Sequence, residues 1–105
     1  MNEFIILGKA LNKPELKESE GGTQYSYLQV AIKKPFKNKD GEYEEDELQF
    51  TLFKNLAQEV TDSVEGGTSV IVKGHISSNN YEKEGKTIYS SSLIADRVSQ
   101  VSHLI

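Results

Sequence analysis

Residues 25–34, YSYLQVAIKK, alternate in side-chain character from end to end. A period of two admits a half-buried strand and little else. Ser26, Leu28, Val30 and Ile32 form the face expected to be core, and Tyr25, Tyr27, Gln29, Ala31 and Lys33 form the other. The same alternation returns at LQFTLF, where Leu48, Phe50 and Leu52 interleave with Glu47, Gln49, Thr51 and Phe53. Between these two strands the segment KKPFKNKDGEYEEDE reads as a loop. Its first half sets Lys33, Lys34, Lys37 and Lys39 around Phe36, and its second half holds Glu42, Glu44, Glu45, Asp46 and Glu47. A two-stranded ribbon with lysines and an aromatic near its tip suits a flexible polyanion, and the rest of the chain reads as its scaffold.

The remaining segments fall into place around that ribbon. Residues 3–11 predict a first strand interrupted by Gly8, and 69–78 a fourth strand interrupted by Gly74. Glycine inside a strand marks a bulge or a barrel corner. Pro14 stops the first strand's ladder, and Gly21-Gly22 turns the chain into the second. In KNLAQEVTDSV, Leu56, Val60 and Val64 recur at helical spacing with Ala57 and Ser63 beside them. Asn55 is the expected N-cap with Gln58 at the capping-box position, and Gly66-Gly67 is the stop. NNYEKEGK reads as a hairpin loop and TIYSSSLIADRV as a fifth strand. The order is three strands, a short helix, then two strands. The fold class is therefore all-β, a five-stranded Greek-key barrel of the OB type with one short helix between strands 3 and 4; a small open α+β sheet is the alternative. With 105 residues the chain forms one domain, 1–105, with a short tail at 99–105.

Several functions are set aside by what is missing. The chain has no cysteine, which removes disulfides and thiolate metal sites. Its two histidines, His75 and His103, are distant in sequence, and His75 reads as an ordinary polar strand residue. Ser90, Ser91 and Ser92 lie on a strand without a nucleophile elbow. Gly85-Lys86-Thr87 resembles the end of a phosphate-binding loop, but the required earlier glycine is Asn80 and a strand follows rather than a helix. The acidic run Glu42–Glu47 lacks calcium-loop spacing. We therefore expect no enzyme activity, no cofactor, no metal and no small-molecule substrate. No apolar run is long enough to span a membrane, and the start lacks the flanks of a signal peptide, so no membrane partner and a cytoplasmic, nucleoid-associated location are expected. The net charge of −4 argues against generic charge-driven binding of nucleic acid, but Lys33–Lys39 carries four positive charges and no negative one.

The candidate binding surface combines aromatics able to stack on bases with lysines able to neutralise phosphates. The aromatics are Tyr27 and Phe53 on the outward strand faces, Phe36 in the basic loop and Tyr81 in the second hairpin. The cations are Lys33, Lys34, Lys37 and Lys39, with Lys54, Lys9 and Lys73 as further contributors. Each aromatic alone has an equally good structural role, in packing a loop or a neighbouring subunit. Four on one predicted face or its flanking loops favour stacking.

Those residues sit in motifs that resemble the bacterial single-stranded DNA-binding protein family over nearly the whole chain, to about Val98. The opening NEFIILGKALNKPELKESEGGT is similar to that family's first strand, its D/N-x-PE-[LV] segment and the turn that follows. PFKNKDGE and LFKNLAQEV resemble its basic loop and helix start, and SVIVKGHISSNNYEKEGKTIYSSSLIADRV resembles its fourth strand, aromatic hairpin and last strand. The resemblance implies an OB-fold, sequence-nonspecific binding of single-stranded DNA in replication, recombination or repair, and a homo-oligomer, a tetramer or else a dimer. It carries the family's stacking aromatics onto Phe36, Phe53 and Tyr81. Departures stand beside the matches. Glu47 occupies a tryptophan position, Leu48 a histidine position at the subunit contact, and Ser77, Ser78, Asn79 and Asn80 an otherwise basic stretch. The chain's end, Ser102-His103-Leu104-Ile105, differs from the family's usual acidic recruiting tail, so either a shortened piece of a longer protein or a phage-type or mobile-element homologue that works by coating DNA is expected. The acidic balance keeps a second reading open, an OB-fold protein-interaction module or dimeric primosome-like accessory factor with weak or no DNA binding.

Overall fold

The computed structural model describes residues 1–101. Eight strands and one helix follow in order: β1 (Phe4–Ala10), β2 (Lys17–Glu18), β3 (Gln24–Lys37), β4 (Tyr43–Phe53), α1 (Lys54–Ser63), β5 (Ser69–Ser78), β6 (Tyr81–Lys83), β7 (Lys86–Ile88) and β8 (Ser91–Gln100). Five of them close a barrel in the order β1, β5, β8, β4, β3 and back to β1. All contacts in the ring are antiparallel except β4 with β8, a short parallel junction at Phe50–Leu93 and Thr51–Ile94. The helix lies between the third and fourth barrel strands. This is the OB-fold expected from the element order.

The core follows from the alternation. Leu28, Val30, Phe50, Leu52, Val70 and Val72 are fully buried, with Ala57 and Val60 of the helix and Val64 just after it packed into the same core. Phe4 packs on Phe50 with ring centroids 5.4 Å apart. Ala31 is buried although it belongs to the outward series of β3, because β1 crosses β3 there, pairing Lys9 with Ala31 and Ala10 with Val30.

The two interior glycines are where the barrel walls meet. A Cβ on Gly8 would stand 2.4 Å from the Ala31 carbonyl oxygen, and one on Gly74 would stand 1.9 Å from that of Ile94. At Gly74 the ladder with β8 shifts register: Lys73 faces Arg97 while Gly74 faces Ala95, leaving Asp96 as the extra residue of a bulge. The bulge changes the inward series of β8 from Leu93 and Ala95 to Val98.

The structure corrects several local expectations. Residues 33–47 are not a loop. β3 and β4 run on as a long hairpin that turns only at 38–42, where the Asn38 side-chain oxygen accepts from the amides of Asp40 (2.9 Å) and Glu42 (3.0 Å) and Gly41 takes φ +77°. Backbone pairing across the hairpin outweighs the poor strand propensity of its charged residues. The helix begins one residue before Asn55. Its N-cap is Phe53, no side chain caps it, and Gln58 donates to Asp62 (3.0 Å) instead of closing a capping box. Ser63 is exposed, donating to the Glu59 carbonyl (2.7 Å). The segment 87–90 does not open the fifth barrel strand, because Lys86–Ile88 turns back on Tyr81–Lys83 as a small flap. That turn is made by Glu84 (φ +53°) and Gly85 (φ +77°), the two positive-φ residues a tight right-twisted hairpin requires. Ser99 and Gln100, expected in the tail, complete β8. His103 and the rest of 102–105 lie outside the described residues.

Candidate nucleic-acid interface

The register of β3 against β4 builds the candidate surface as a ladder of cross-strand pairs on the outer face. Tyr25 faces Phe53, Tyr27 faces Thr51, Gln29 faces Gln49, Ala31 faces Glu47 and Lys33 faces Glu45. The parallel junction extends the Tyr27 row sideways, since Thr51 pairs with Ile94 and Ile94 with His75 of β5. Four strands thus share one outer row.

Two clefts open on this ladder, and Tyr27 lines both. One, of about 370 Å³, is lined by Tyr25, Tyr27, Thr51, Phe53 and Ile94 together with Ser19 and Ser92. Tyr25 and Tyr27 meet edge to face with centroids 5.6 Å apart, which turns their rings rather than stacking them flat. The other, of about 400 Å³, is polar and contains Asn12, Lys17, Gln29 and Gln49. Asn12 fixes the strand at this point. Its Nδ2 donates to the Tyr27 carbonyl (3.2 Å) and its Oδ1 accepts from the Gln29 amide (2.9 Å), completing backbone pairs on an edge that β1 has left.

Above the ladder rises the charged hairpin. Lys33, Lys34 and Lys37 on β3 lie against the acidic β4 arm. Lys34 donates to Asp46 as a hydrogen-bonded ion pair, which raises its pKa above the ordinary lysine value through that hydrogen bond first and the Asp46 charge second. Lys33 and Lys37 converge on the Tyr43 ring, their ammonium nitrogens 5.2 and 5.7 Å from its centroid. Between Lys33 and Lys37 the register slips, so that Lys34, Pro35 and Phe36 stand opposite Glu44 alone. Proline is accommodated at such a bulge, and the bulge pushes Phe36 out of the sheet to 80% exposure.

The sequence-predicted residues therefore divide. Tyr27 and Phe53 share one cleft. Phe36 is on the hairpin, and Tyr81, 54% exposed, is on the flap, where it pairs with Ile88. Lys39 is in the hairpin turn and exposed. Lys54, at φ +57°, flanks a separate cleft with Glu18 and Asn55. Lys9 lies on β1 opposite Ala31 of β3, at the side of the ladder, whereas Lys73 lies on β5 and is bridged to Glu3 (3.0 Å). His75 is more than an ordinary polar residue, since its Nδ1 lies 2.8 Å from the carboxylate of the bulged Asp96.

Several residues on this surface were not anticipated as site residues. Tyr25 alternates with Tyr27, so its face was legible, but its pairing with Phe53 was not. Tyr43 was hidden in the acidic run, and Tyr89, 81% exposed beside the flap, in a strand pattern. Lys17 of β2 carries its ammonium to 5.4 Å from the Tyr27 ring centroid; no periodicity marks it. Among the described residues, no cluster of three or more His, Cys, Asp or Glu is arranged to hold a metal ion, and no helix is long and apolar enough to cross a membrane.

Comparison with known proteins agrees with this architecture. Over 99 residues, 93% of this chain, it is 30% identical to single-stranded DNA-binding protein 3 of Listeria innocua, covering 62% of that protein. It is 31% identical to single-stranded DNA-binding protein 1 of Staphylococcus aureus, covering 64% of it, again over 99 residues and 93% of this chain. Over 98 residues, 92% of this chain, it is 30% identical to single-stranded DNA-binding protein B of Bacillus subtilis, covering 87% of it. The chain thus spans somewhat less than two thirds of the Listeria and Staphylococcus relatives. Residues 1–101 match the family described as the Single-strand binding protein family, and the chain belongs to it.

Proposed function

We propose that this protein binds single-stranded DNA, largely without regard to sequence, and shields it during replication, recombination or repair. It acts by binding and not by catalysis. The observation that carries the reading is the open cleft formed by Tyr25, Tyr27 and Phe53 on the barrel face beneath the lysine-bearing hairpin. An unpaired strand offers what such a surface takes, base faces for aromatic rings and phosphates for ammonium groups. The relatives' names point the same way. Phe36 and Tyr81 extend the track onto the hairpin and the flap, with Lys33, Lys37 and Lys39 as phosphate contacts. Lys34 joins them in competition with Asp46.

We further infer that the protein works as a homo-oligomer, a tetramer or else a dimer. Ile5, Leu7 and Ile71 are exposed side by side on the outside of β1 and β5, with Leu7 facing Ile71. Residues 4–8 of β1 pair only with β5 among the described residues, so their other edge is free for a second copy. Native mass measurement tests this; a monomer at micromolar concentration would refute it.

The second reading is a protein-interaction module of the same fold. Six carboxylates against four lysines in 33–47 favour it. Tyrosine emission separates the two, because the chain has five tyrosines and no tryptophan. Titration with oligo-dT at low salt is expected to quench that emission and to retard the oligomer in a gel. Neither effect would leave the interaction module standing.

A further inference from the structure

We propose that the Gln29–Gln49 pair is a base-edge contact, so that one base of the bound strand is held by hydrogen bonds to its Watson–Crick edge as well as by stacking. The inference rests on the single-strand-binding reading and specifies how one subsite of that surface works.

Gln29 and Gln49 are direct cross-strand partners on the outer face. The Gln29 Nε2 donates to the Gln49 Oε1 at 2.7 Å, which locks both amides into one orientation. Two groups are left over, the Gln29 Oε1 as acceptor and the Gln49 Nε2 as donor. Neither has another partner among the described residues. Both belong to the polar cleft of about 400 Å³, whose wall on the side of the aromatic cleft is Tyr27. The floor is rigid, since Asn12 holds the backbone of Tyr27 and Gln29 at 3.2 and 2.9 Å. The Lys17 ammonium, 5.4 Å from the Tyr27 ring centroid, stands where a phosphate flanking the base can be met.

A base entering this cleft has Tyr27 beside its face and an acceptor and a donor beside its edge. Unpaired bases expose that edge, and amide side chains match it. Each natural base carries a donor next to an acceptor there: N–H beside C=O in thymine and guanine, an amino group beside a ring nitrogen in adenine and cytosine. The pair therefore tolerates all four bases while still requiring an open edge. It fits sequence-nonspecific binding, yet differs from stacking alone.

The test uses two oligomers of equal length, oligo-dT and the same strand built from N3-methylthymidine. Methylation blocks the edge and leaves the ring face and the phosphates in place. Wild type is expected to bind the methylated strand at least about fivefold more weakly, the low end for a two-point edge contact. The double variant Gln29→Met, Gln49→Met is expected to bind both strands alike, at the affinity wild type shows for the methylated one. Should the double variant fail to fold, Gln49→Met alone, at an exposed position, is expected to narrow the ratio. Equal binding of both strands by wild type, or an unchanged ratio in a folded variant, overturns the proposal and leaves single-strand binding intact. Failure of wild type to bind oligo-dT at all overturns both.

Discussion

Lys34 and Asp46 form a hydrogen-bonded ion pair across the hairpin, so one of the lysines best placed for phosphate is already held by an internal carboxylate. The pairing is a matter of register. β3 and β4 run antiparallel with Lys33 facing Glu45 and Ile32 facing Asp46, which lays the acidic arm along the basic one. Any phosphate that engages Lys34 competes with Asp46 for its charge.

Replacing Asp46 by Asn is expected to tighten binding of oligo-dT at low salt and to steepen its salt dependence. If Lys34 then neutralises one more phosphate, the slope of log affinity against log salt grows by about 0.7. The sign of the pH dependence follows from the direction of the Lys34 shift. Its pKa is raised above 10.5, so the pair's contribution is fully present below the ordinary lysine value and is lost only as pH rises through the raised one. The difference between wild type and D46N is therefore expected to stay constant from roughly pH 6 to 9. Titrations at three salt concentrations and two pH values check both expectations.

Truncating Tyr27 or Phe53 to Ala is expected to weaken binding by about 1–3 kcal/mol, the range for one stacked base, with little change in salt slope. The same change at Phe36 or Tyr81 is expected to cost less. Tyr27 and Phe53 line a cleft that exists before the strand arrives, whereas Phe36 and Tyr81 stand exposed on the hairpin and the flap and must be ordered on binding. Fluorescence anisotropy with a labelled oligomer ranks the four variants. Equal losses at all four would mean that the cleft is not the centre of the site.

Gly74→Ala is expected to destabilise the barrel by at least about 1–3 kcal/mol, the usual cost of overpacking. The added Cβ would fall 1.9 Å from the Ile94 carbonyl oxygen and 2.7 Å from the Phe4 ring, and the backbone atom cannot swing aside as a side chain would. Gly21→Ala is the matched control, since nothing lies within 4 Å of its would-be Cβ. Urea unfolding of the two variants beside wild type gives the comparison.

How far each feature could be read in advance depends on the range of the forces behind it. The inward series Leu28, Val30, Phe50 and Leu52 and the outward series with Tyr27 and Phe53 follow from the pleat, a local property that alternation reports directly. Gly8 and Gly74 stood out because a strand interior rarely tolerates glycine without cause. The hairpin did not read as strand, because its lysines, acids and Pro35 have poor strand propensity, and only cross-strand pairing overrides that. Gly74 marked the place of the bulge that re-aims Asp96 toward His75 but not which residue it displaces, and the bulge that expels Phe36 left no clear trace, since a bulge is a mismatch between two strands and not a property of either.

What the sequence determined by itself is the set of barrel strands, the single helix, the inward and outward faces and the chemical character of the hairpin. Each rests on contacts between near neighbours or on side-chain type. Only the tertiary structure decided which residues face one another: Tyr25 with Phe53, Gln29 with Gln49, Lys33 with Glu45. It also decided that Tyr27 stands between two clefts and that Asp46 holds Lys34. The physical reason is register. Barrel closure sums many weak long-range pairings into one alignment, and a shift of a single residue would send every outward side chain into the core.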